Sequence, residues 1–141
     1  SASVDYDPKE AAQIFIEEHN HATWYFDSAD FLKRAKETYA VCLVSDADRD
    51  MVEGLIQDLP IDTLVISEEV GSYKHNSNGK MFTTVIEHFG CRAQDILHIG
   101  DSSSDIEGAG QLNIDTCWLN RRKVSKHFSI SPTYEVASLC D

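Results

Sequence analysis

At 141 residues the chain has the size of a single domain and is long enough to bury a sizeable core. It is 42% hydrophobic and 26% charged, and 12 Lys and Arg stand against 24 Asp and Glu, a formal charge of -12. That balance repels a polyanion and excludes nucleic acid as the main partner, while no apolar stretch is long enough to span a membrane and no secretory signal opens the chain.

In chain order, Asp7-Pro8 opens a helix through Glu18, with proline in its favoured first turn. Asp27 or Ser28 caps a second helix whose apolar side is Phe31, Leu32 and Ala35. Two short apolar runs then read as strands, Ala40–Val44 and Thr63–Ser67, with a helical pattern over Asp48–Asp58 between them. Asn76–Gly79 is a loop, and the helix over Lys80–Phe89 stops at Gly90. Two more strands follow, Ile96–Gly100 and Ile114–Leu119. All four runs are continuous rather than alternating, as in strands covered on both faces. Strand and helix in this rhythm predict an α/β fold with a parallel sheet. The basic residues Arg121, Arg122, Lys123 and Lys126 read as a solvated loop.

The four cysteines form no CxxC pair, and Cys42 and Cys117 sit in apolar runs as buried hydrophobes. The reducing cytoplasm is the simplest compartment. The six histidines make no metal pattern.

In an open parallel sheet, ligands bind at the carboxyl ends of the strands. Ser45 and Asp46 follow the first strand, Lys74 comes after the second, and Asp101 follows the third with Asp105 four positions on. A hydroxyl, an ammonium and two carboxylates at one edge suit a phosphate and a hard cation. In the Gly100–Gly108 segment (GDSSSDIEG), paired carboxylates one helical turn apart repel each other unless a cation lies between them, and oxygen ligands favour Mg²⁺. Read separately, Ser45-Asp46 is a helix cap, Lys74 a surface lysine and GDSSSD a capped strand–helix junction.

Together these motifs resemble the haloacid dehalogenase superfamily, in its phosphatase branch with a helical cap. VCLVSD ending at Ser45 is similar to the family's second motif, VGSYK with Lys74 to the third, and GDxxxD at Gly100, Asp101 and Asp105 to the fourth. The likeness covers roughly residues 27 to 120. It implies a Rossmann-like parallel sheet with helices on both faces. Ser45 and Lys74 are then the phosphate-handling catalytic residues, Asp101 and Asp105 the Mg²⁺ site, and a small phosphate ester the substrate. The implied chemistry is hydrolysis through an aspartyl-phosphate.

The first motif, an apolar strand ending in DxDxT/V whose first Asp is the nucleophile, has no match. Asp5-Tyr6-Asp7 follows only Ser1–Val4, and Pro8 makes Asp7 a helix start instead. The Lys74 region departs too, since His75 and the NSNG loop follow it, and Lys80 is a possible substitute. The expectation is therefore a C-terminal fragment: residues 1–26 as the remnant of the helical cap or linker, and 27–141 as a core missing its first central strand. The chain alone is then inactive, and its exposed strand edges invite a homodimer. Two other functions compete. One is a non-catalytic binding module or pseudoenzyme; the other is a GDS-type esterase with Ser102 as nucleophile.

Overall fold

The computed structural model describes residues 7–141; the Asp5 reading therefore lies outside the described residues. The expected α/β architecture is present, as parallel strands interleaved with helices. Helix α1 (Pro8–Asn20) starts where the sequence predicts, with the Asp7 carboxylate accepting from Lys9 N at 2.9 Å. It buries none of its residues. Its last residue and the segment after it dock on α3 (Arg49–Ile56) through two side-chain donors, Asn20 Nδ2 to Asp50 O at 2.7 Å and Trp24 Nε1 to Leu55 O at 3.2 Å.

Helix α2 spans Ser28–Lys36, but the Asp27 carboxylate in front of it does not cap the helix. It is buried and accepts both guanidinium nitrogens of Arg121 at 2.8 Å and the Leu139 N–H at 2.9 Å. Arg121 also lies 4.1 Å above the Tyr25 ring. The expected solvated basic loop is thus corrected at its first residue: a fork-shaped guanidinium met a desolvated carboxylate, and bidentate pairing outweighed hydration.

The Arg121 hydrogen bond, reinforced by the Leu139 N–H, holds the Asp27 carboxyl down at about 2, from an ordinary 3.8. A carboxyl depressed on folding stabilises the fold above its unfolded value, and that contribution fades as pH falls toward the folded value. Urea midpoints of the wild type should therefore drop between about pH 4 and about pH 2. Asp27→Asn should lower the midpoint at neutral pH and flatten that acid slope.

Strand β1 (Cys42–Ser45) pairs in parallel with β2 (Thr63–Ile66), Ser45 opposite Ile66. A second parallel sheet has the order β3 (Leu97–Gly100), β4 (Asp115–Leu119), β5 (Tyr134–Val136). β1 and β3 do not pair with each other, so each has one edge without a strand partner among the described residues. This matches the expected gap. It also explains why β1 is half-buried throughout and Leu97 is 51% exposed, whereas Thr116, Cys117 and Trp118 of the flanked β4 are buried. Cys42, expected to be buried, is half-buried by the same cause; even so, burial pushes its thiol up to about 11.

Neighbouring residues of β2 face opposite layers. Val65 joins Met81, Phe82 and Val85 of α5 (Lys80–Phe89), with Ala109 and Ile114; Ile66 joins Ala47 and Val52 on the α3 side. Helices therefore cover both faces of this sheet. Ser67, expected as the last residue of β2, instead begins the short helix α4 (Ser67–Val70) and is held by its hydroxyl on Ala47 O at 3.2 Å. Three-residue β5 was invisible as an apolar run because its middle residue is Glu135.

Candidate functional site

The carboxyl ends of β1 and β3 and the loop after α4 are joined by one polar network. Asp46, immediately after Ser45, accepts the Lys74 backbone N–H at 2.9 Å and so ties the Lys74 loop to the end of β1. From there the Lys74 ammonium reaches Asp105 Oδ1 at 2.6 Å. Helix α6 (Ser103–Gly110) places Asp105 in its first turn through a reciprocal cap with Ser102. The cap consists of Ser102 N to Asp105 Oδ2 at 3.1 Å, Ser102 Oγ to the same oxygen at 2.6 Å, and Asp105 N to Ser102 Oγ at 3.2 Å. His98 Nε2 completes the set, 3.1 Å from Oδ1.

Two glycines make this approach possible. A side chain at Gly100 would collide with the Asp105 carboxylate, so β3 must end in glycine for Asp105 to fold back over it. A side chain at Gly108 would collide with the Lys74 carbonyl. Gly108→Ala should therefore destabilise the fold by about 1–3 kcal/mol, the usual cost of overpacking. It should also displace Lys74 from Asp105, which chemical denaturation and a structure of the variant would read out.

Asp105 is the electrostatic centre of the network. Burial pushes its carboxyl up, but the His98 hydrogen bond and the Lys74 charge outweigh burial and hold it well below the ordinary carboxylate range. It is ionised, with both oxygens committed. Asp101, by contrast, is exposed, and no hydrogen bond to its carboxylate is seen among the described residues. Only its backbone carbonyl is engaged, by Trp118 Nε1 at 3.3 Å. Of the four sequence-predicted residues, then, Lys74 and Asp105 are in contact and Ser45 adjoins the Asp46 anchor. Asp101 stands at the head of the same loop.

These positions bear on a divalent cation. Mg²⁺ takes one or two carboxylates and keeps several waters. Asp101 is free for that role. Asp105, expected beside it as a metal ligand, instead uses both oxygens on Lys74, His98 and Ser102. No group of three or more His, Cys, Asp or Glu gathers to hold a metal among the described residues. The residues present fit one corner of a Mg²⁺ shell, with the remaining positions left for water, phosphate and another carboxylate.

Sequence reasoning missed two members of the network. Asp46 read as a helix cap, but Asp48 occupies the N-cap position of α3 and Asp46 faces the Lys74 loop instead. His98 lies two residues before Gly100, hence on the same strand face, and that parity was the only signal for it. Lys80, the possible substitute for Lys74, lies in a groove with Leu64, Ile66 and Glu69, apart from this network. Ser102 caps α6, and the histidine nearby bonds the opposite oxygen of Asp105 rather than the hydroxyl. The Ser–His pair that an esterase nucleophile needs is not formed.

Comparison with known proteins bears on the same segments. A family described as haloacid dehalogenase-like hydrolase matches residues 2–119. The chain belongs to that family. It is 41% identical over 80 residues to the pyrimidine 5'-nucleotidase YjjG of Escherichia coli, covering 55% of this chain and 35% of that protein. It is 24% identical over 138 residues to an (S)-2-haloacid dehalogenase of Pseudomonas fluorescens, covering 94% and 60%. Among solved structures, the putative HAD-hydrolase YfnB of Bacillus subtilis superposes with TM-score 0.81 at 23% identity, covering 93% of this chain and 58% of that one. The L-2-haloacid dehalogenase of Xanthobacter autotrophicus gives TM-score 0.82 at 15% identity, covering 96% and 65%. The chain thus spans less than two thirds of the length of these relatives. The family assignment is therefore to a family of hydrolases.

Proposed function

We propose that the full-length protein is a Mg²⁺-dependent phosphohydrolase of small phosphomonoesters. The observation that carries this reading is the bridge from Lys74 to Asp105, with the exposed carboxylate of Asp101 at the head of the same β3–α6 loop: a half-buried cation and an open anion at the strand ends. In this reading Ser45 donates its hydroxyl hydrogen to a phosphoryl oxygen. Lys74 neutralises charge on the phosphate and on the attacking group. Asp101 holds Mg²⁺, which when bound shields the negative charges that keep nucleophile and phosphate apart. An aspartate outside the described residues attacks phosphorus as the ester oxygen leaves, and water then hydrolyses the aspartyl-phosphate.

Pyrimidine nucleoside 5'-monophosphates are the first substrates to try, because two relatives, 41% identical over 80 residues and 46% identical over 46, are pyrimidine 5'-nucleotidases. The test is an assay of the full-length protein against these nucleotides, simple sugar phosphates and 2-haloacids, in Mg²⁺ and in EDTA. Mg²⁺-dependent phosphate release supports the proposal. Halide release from a 2-haloacid, or no turnover of any phosphate ester, overturns it.

A second reading, a non-catalytic module, is favoured by the open edges of β1 and β3. In the isolated 141-residue chain we propose that these edges are covered by a second copy. Sedimentation velocity at micromolar concentration should then show a dimer, and a monomer would rule this out. Among the described residues no helix is long and apolar enough to cross a membrane.

A further inference from the structure

We propose that His98 is a positioning residue: it fixes the rotation of the Asp105 carboxylate and thereby aims the Lys74 ammonium at the site. The inference deepens the phosphohydrolase reading and rests on it for the role of Lys74.

Asp105 Oδ2 is held by its own neighbour Ser102 within one helical turn, whereas Oδ1 is held only by groups from elsewhere in the fold. Of those two, Lys74 reaches Oδ1 from a loop at the end of a flexible side chain. His98 reaches it from strand β3 with a ring that cannot turn freely. The ring meets Phe82, which is 1% exposed, edge to face at a centroid distance of 4.8 Å, and only 13% of the His98 side chain is exposed. A carboxylate oxygen only accepts, so the 3.1 Å contact assigns the proton to Nε2 and makes the ring the donor. Phe82 thus fixes His98, His98 fixes Oδ1, and Oδ1 fixes Lys74. Without the His98 donor, Ser102 still holds Oδ2, but Oδ1 keeps only the flexible Lys74 as its partner, and the direction of the ammonium is less tightly set.

Two substitutions separate this role from simple packing. His98→Phe keeps the ring against Phe82 and removes the donor, while His98→Gln restores an N–H at nearly the reach of Nε2. The readout is the rate at which acetic anhydride acylates Lys74 in the folded full-length protein, followed by mass spectrometry, with thiol labelling of buried Cys117 as the control for loosening of the fold. The expected result is an acylation rate about tenfold higher in His98→Phe, a change on the scale of one lost hydrogen bond to a charged group. Labelling of Cys117 should stay unchanged, and His98→Gln should lie close to wild type. The turnover number for a phosphate ester should follow the same order, with KM little changed. An unchanged Lys74 rate in His98→Phe overturns the proposal, as does a parallel rise at Cys117 or a His98→Gln variant that behaves like His98→Phe. If the protein hydrolyses no phosphate ester, the functional reading fails while Lys74 acylation still decides the role of His98.

Discussion

Asp105→Ala is expected to destabilise the chain by about 3–5 kcal/mol, the scale for removing one partner of a buried ion pair. Lys74 and Asp105 side chains are only 13% and 7% exposed. The substitution leaves a half-buried ammonium without its counter-charge, strips His98 Nε2 of its acceptor and removes the two bonds that Ser102 makes to Oδ2, while the Asp105 N–H still reaches Ser102 Oγ. Asp105→Asn should be milder, since an amide oxygen still accepts from Ser102 while its NH₂ confronts Lys74. Equilibrium unfolding in urea reads both. The acid response supplies a second check. The Asp105 carboxyl is depressed on folding, so its contribution is present above the ordinary carboxylate range and fades on acidification. Asp105→Ala should accordingly lose less stability between neutral and acid pH than the wild type does. A variant as stable as wild type would mean that the Lys74–Asp105 bridge contributes nothing net.

Lys74→Ala in the full-length protein is expected to lower kcat for a phosphate ester roughly 10²–10³-fold, the scale for deleting one preorganised electrostatic contact to a developing charge. Its effect on stability should be smaller than that of Asp105→Ala, because an ionised Asp105 still keeps His98 and Ser102 as donors. Lys80→Ala is the paired control and should leave turnover unchanged, as Lys80 lines a separate groove with Leu64, Ile66 and Glu69. Equal losses at Lys74 and Lys80 would remove Lys74 from its special position.

Much of this was readable from the chain itself, because local chemistry and tertiary structure agree. Continuous apolar runs located four of five strands, Gly90 stopped α5 where a left-handed cap was expected, and Asp7-Pro8 started α1. The order of Ser45, Lys74, Asp101 and Asp105 along the strand ends anticipated which loops would share an edge. What was hidden depends on three-dimensional pairing with no periodic trace. Arg121 read as a solvated residue because Asp27, its partner, is distant in sequence. Asp46 and His98 look like a cap and a strand residue until the Lys74 loop and α6 arrive over them. The division of labour between Asp101 and Asp105 was equally hidden: spacing makes them a pair, but only the fold shows one saturated and the other open.

The most direct test of a shared phosphate and Mg²⁺ site is a crystal structure of the full-length protein grown with Mg²⁺ and orthovanadate, an oxyanion that stands in for the phosphoryl group. Vanadate within hydrogen-bonding distance of Ser45 Oγ and Lys74 Nζ, with the metal on the Asp101 carboxylate, is the expected result. Vanadate bound away from the ends of β1 and β3, or a metal that leaves Asp101 free, would contradict it.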